Sequence, residues 1–143
     1  MQNPTILYPI FALAGWTAVV QGLIPFARVQ AARRGEVVVD DFKFGEAARV
    51  PVAVSIPNRN YMNLLEFPVL FYVVCLMLYT AQGASILLVN LAWAYVILRV
   101  LHSAIHLTYN RVTHRIAAFA LSNFVLVTLW ILAATQVIFN ASA

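Results

Sequence analysis

Hydrophobic residues run along this chain in four long stretches, Ile6 to Ala27, Met62 to Ala81, Ile86 to Leu107 and Ile116 to Phe139. Each is long enough to cross a ~30 Å hydrocarbon core at ~1.5 Å per residue, so the pattern predicts four membrane helices in a single all-α domain. Two of these rods carry polar stripes. At about 100° per residue, Tyr95, Arg99, His102, His106 and Asn110 share one helix face, and Arg59, Asn63 and Glu66 share another. An ionisable group at membrane depth costs several kcal/mol unless it is paired or faces water, so the stripes should meet each other or line a site.

Depth argues for a specific contact between them. Glu66 would lie about 10 Å below Arg59, and Arg99 about 12 Å below Leu107, from opposite chain directions. A Glu66–Arg99 ion pair is the simplest way to make both charges bearable. Between the first two spans lies a long connection, residues 28–60, with an apolar Val50-Pro51-Val52-Ala53-Val54 segment expected to pack over the mouth of the bundle. Pro57 suits a first helical turn, so the second helix should begin there, ahead of the bilayer.

Composition fits this class: 143 residues, 63% hydrophobic, with a mean hydropathy of +0.85. A soluble domain of that size needs far more charge on its surface. The net charge of +4 changes the picture only through its placement. Arg28, Arg33, Arg34, Lys43, Arg49 and Arg59 fall in the first connection and Arg111 and Arg115 in the third. By the positive-inside rule both connections face the cytoplasm and both termini lie outside. The first span lacks the basic start and short apolar core of a signal peptide and is expected to be retained. No basic groove with aromatic platforms points to nucleic acid.

Candidate chemistry narrows to one constellation. Cys75 sits within the second span, where apolar surroundings quieten a thiol. His102 and His106 have metal-compatible spacing, but His114 is the only other histidine and no cysteine or second carboxylate is near, so no metal is expected. Arg28 closes the first span, either as a headgroup anchor or as a ligand contact, and Gln21 is open to bonding a neighbouring helix or touching a ligand. Arg115 opens the last helix, where a cation opposes the helix dipole; the pairing makes sense if an anion is held there.

The pattern Arg59-x3-Asn63-x2-Glu66, followed by Pro68 and Phe71, with Arg99-x2-His102 and Arg115 sixteen residues after Arg99, resembles the MAPEG family. These are membrane-associated proteins in eicosanoid and glutathione metabolism, including microsomal glutathione transferases and leukotriene and prostaglandin E synthases. The resemblance, to a bacterial-type member, implies a homotrimer in a bacterial inner membrane, binding glutathione between protomers and acting as a transferase or peroxidase on a lipophilic substrate drawn from membrane lipid. The alternative is a non-catalytic trimeric membrane binding or structural protein. Carried over by position, Arg28, Arg59, Asn63, Glu66, His102 and His106 would bind glutathione, and Arg115 would stabilise its thiolate as the catalytic residue. His106 and Phe119 stand where the family often has tyrosine, and Phe119 has no hydroxyl to offer.

Overall fold

The computed structural model describes residues 4–141. They form five α-helices, Leu7–Arg33 (α1), Val52–Leu65 (α2), Pro68–Thr80 (α3), Ile86–Leu107 (α4) and Val112–Ala141 (α5), with a short 3₁₀ turn ahead of α1 and another at Val39–Phe42. Four stretches are long and apolar enough to cross a membrane: Pro4–Arg33, Val52–Thr80, Ile86–Leu107 and Val112–Gln136. The second is α2 and α3 taken together. The break falls at Glu66, whose ψ of −96° is not helical. Pro68 accounts for it, because a proline has no amide for the carbonyl four residues back and its ring collides with that carbonyl.

Two boundaries around the first connection differ from expectation. α1 runs six residues past Ala27, and its last turn is capped by bonds from the Arg34 amide to carbonyls of that turn. α2 begins at Val52 behind Pro51, so Pro57 lies inside the helix and not in its first turn. The connection proper is therefore shorter, Arg34 to Pro51, and it is built, not slack. Val37, Val50 and Val54 bury against Ala31 at the end of α1, so the apolar segment joins α1 rather than lying over the bundle mouth. Asp41 fixes the turn, accepting from the Val38 amide at 2.8 Å and from Arg49 Nε at 2.6 Å. These two bonds, the backbone one first, hold the Asp41 carboxyl below its usual range.

The core lies between the rods. α4 packs most extensively on α5, and α1 on α2. Leu13, Val20, Phe71, Val74, Leu78, Ala92, Leu126, Leu129 and Ala133 are buried together, with the Phe71 and Tyr95 rings stacked at 4.7 Å. Cys75 belongs to this core. Many large apolar side chains face outward, among them Phe11, Phe26, Ile97, Phe124 and Ile131, as lipid-facing surfaces require. Inside, one polar knot ties three helices. Ser103 Oγ on α4 meets Trp16 Nε1 of α1 at 2.9 Å and the Asn60 side-chain amide of α2 at 2.6 Å.

Candidate functional site

α4 carries its polar stripe inward. Arg99, His102, Ser103 and His106 are all buried, while the helix exposes Leu87, Trp93, Ile97 and Leu101 on its other side. The α4 helix ends at Thr108, and Asn110 turns the chain in a left-handed conformation (φ 49°), which asparagine tolerates better than most residues. That turn brings the first turn of α5 back against His102. His102 Nδ1 lies 3.0 Å from the Arg115 carbonyl oxygen, so this nitrogen carries the proton and donates it. Arg115 Nη1 donates to Asn110 Oδ1 at 2.8 Å, which aims the guanidinium across the turn, and its buried Nε has no partner among the described residues.

Two adjoining cavities open there. One, of about 240 Å³, is lined by Asn63, His102, Val112, Arg115, Ile116 and Phe119. The other, of about 380 Å³, is bordered by Val52, Ile56, Arg59, Asn63, His106, Asn110 and Arg115 among others. Asn63 and Arg115 line both, so the two form one groove between α2, α4 and α5. The smaller cavity has an apolar wall of Val112, Ile116 and Phe119, and the larger holds two guanidinium groups, three amides and an imidazole. Five residues singled out by sequence, Arg59, Asn63, His102, His106 and Arg115, come together in it.

Arg28 and Glu66 do not. Arg28 lies on the other flank of α2, lining an adjoining cavity of about 530 Å³ with Gln21 and Tyr61; Asn58 and Met62 border both that cavity and the groove. Its Nη2 is 3.3 Å from Glu46 Oε1, and the Phe42 ring lies 4.3 Å from its Cζ. Glu66 is exposed at the α2–α3 break and lines neither cavity of the groove. The expected Glu66–Arg99 ion pair is not formed within the protomer. Arg99 is only 1% exposed, and its Nε donates to Tyr95 Oη at 3.1 Å, while Nη1 and Nη2 have no partner among the described residues. Aromatic faces surround the cation instead, Phe119 at 5.1 Å, Tyr95 at 5.6 Å and Phe67 at 6.0 Å. Such faces attract a cation electrostatically.

Phe119 has a position that its lack of a hydroxyl did not foretell. Its ring packs edge-on to Phe67 at 5.6 Å and lies 5.8 Å from the His102 ring, between the groove and Arg99. Asn60, Ser103 and Trp16 were also missed, since a lone asparagine or serine in an apolar run gives no spacing signal. Among the described residues no group of three or more histidine, cysteine, aspartate or glutamate side chains gathers as a metal cluster would.

Four membrane-length helices around a polar groove with an apolar wall define an integral multi-pass membrane protein with a polar cleft. The chain belongs to the MAPEG family, whose model matches residues 6–135, nearly its whole length. Neither a curated protein nor a solved structure matches it.

Proposed function

We propose that this chain is a glutathione-dependent membrane transferase or peroxidase acting on lipophilic electrophiles. The observation that carries the reading is the groove itself, where Arg59, Asn63, His102, His106 and Arg115 meet beside the apolar wall of Val112, Ile116 and Phe119. Glutathione has two carboxylates, one ammonium and a thiol, and guanidinium groups and amides suit its ends. Arg115 stands in the first turn of α5, where the helix dipole adds to its charge. A thiolate there is favoured twice over. Lowering a thiol pKa by ~2 units from ~8.5 needs only ~2.7 kcal/mol of preferential stabilisation, within reach of one well-placed guanidinium.

The chemistry follows from that anion. With an aryl halide, the thiolate sulfur bonds to the ring carbon and the halide departs with its electron pair. With a lipid hydroperoxide, two glutathione molecules are oxidised to the disulfide while the hydroperoxide becomes an alcohol and water. The apolar wall would hold the lipophilic reactant and the arginines the peptide. A homotrimer in a bacterial inner membrane, with the basic connections in the cytoplasm, is part of the same reading, and a neighbouring protomer would close the open side of the groove.

A second reading, a trimeric binding or structural protein without turnover, is favoured by one observation. Phe119 faces the groove with no hydroxyl to hydrogen-bond a thiolate. The purified protein titrated with glutathione, then supplied with a generic aryl halide and a lipid hydroperoxide, separates the two. Saturable binding with a thiolate absorbance band and product formation supports the enzyme. Binding without turnover supports the second reading.

A further inference from the structure

The Arg28 guanidinium, on the far side of α2 from the groove, is already partnered. Glu46 reaches it from the loop with a single oxygen at 3.3 Å, and Phe42, two residues before Phe44, lays its ring 4.3 Å from Cζ. The clasp is incomplete, because Arg28 Nε is buried with no partner among the described residues. Around it, Gln21, Asn58 and Tyr61 line a cavity of about 530 Å³, and Asn58 and Met62 also line the groove that holds Arg59 and Arg115. Glu46 belongs to a segment anchored independently of Arg28. The Ala47 amide donates to the Asp41 carbonyl at 2.8 Å, and Asp41 is bound by Arg49 and the Val38 amide.

A single-oxygen contact on a partly exposed arginine is weak, whereas a carboxylate that engages two guanidinium nitrogens gains both charge and geometry. We infer that Glu46 is an internal competitor: it occupies Arg28 in the ligand-free protein and yields the guanidinium to a carboxylate of the bound peptide. The inference rests on the glutathione reading above and adds to it a residue that sets affinity without belonging to the groove. It holds whether Arg28 serves the groove of its own protomer or that of a neighbour. Ligand binding and loop release are then coupled in one exchange of carboxylates, and by linkage each must favour the other.

Glutathione titration of the intact protein and four variants, Glu46→Gln, Arg28→Gln, the double of these two and Asp40→Asn, tests this. Glu46→Gln should tighten binding by about 2- to 5-fold, the range of a partly exposed ion pair. In an Arg28→Gln background the same change should give no gain, because the competitor has lost its target. Asp40→Asn, which removes a nearby exposed carboxylate of the same charge, should leave the affinity unchanged. Saturating glutathione should also speed amide exchange at residues 43–47 in the wild type, and add nothing in Glu46→Gln. Equal gains from Glu46→Gln and Asp40→Asn would reduce the effect to a general field and overturn the inference. Wild-type binding with no gain in Glu46→Gln would overturn it while leaving the glutathione reading intact. Absence of any wild-type binding would remove both.

Discussion

Arg99 and Glu66 show how far residue types reach and where they stop. The spacing placed Arg99 on a buried stripe, and it is buried, but its charge is met by Tyr95, Phe67 and Phe119 rather than by Glu66. A proline two residues on from Glu66 ends the helix and turns that carboxylate outward, a consequence that periodicity alone does not carry. Glu66→Gln is therefore expected to keep thermal stability in detergent within about 0.5 kcal/mol of wild type. A loss of about 3 kcal/mol or more would restore the buried pair. Asn60 predicts the opposite. It is fully buried and its amide bonds Ser103, so Asn60→Ala should cost about 1–2 kcal/mol, seen as a lower unfolding temperature. An unchanged temperature would contradict the knot. Arg115→Ala should cut the thiolate-to-thiol ratio of bound glutathione by about 100-fold, the equivalent of ~2 pKa units, while assembly persists.

At the scale of elements, the apolar runs located every membrane rod, because hydrophobic length is a property of sequence alone. The ends were less legible. α1 continues to Arg33 through residues that read as connection, and α2 starts behind Pro51, since helices do not stop where the hydrocarbon does. The loop was the least legible part. Its order comes from one aspartate bonded to a backbone amide and a distant arginine, a pattern without a spacing rule. Because those bonds lower the Asp41 pKa, the stability they confer is fully present above the usual carboxylate value near ~3.9 and is lost as pH falls through the lower folded value. Protection of the Val38 amide, its exchange relative to the intrinsic rate at each pH, should accordingly hold from pH 5 to 8 and fall in acid. Asp41→Asn should show fast exchange throughout. Slow exchange in that variant at neutral pH would remove Asp41 as the anchor.

For the whole molecule, the sequence brought five of its seven proposed peptide-contacting and catalytic residues into one groove, while Arg28 and Glu66 fall outside it within the protomer. Arg59, Asn63, His102, His106 and Arg115 were readable because helical spacing and a short α4–α5 turn leave few arrangements. Arg28 was not, because its position depends on how α1 packs beside α2 and on which loop carboxylate reaches it. The shape that results is wet at one end and oily at the other, which is what a charged peptide and a lipophilic reactant need from one cleft. Titration of the purified protein with glutathione, read by thiolate absorbance, tests that account most directly. It predicts a saturable band in the wild type that is lost in Arg115→Ala. No band in the wild type, or an equal band in the variant, would contradict it.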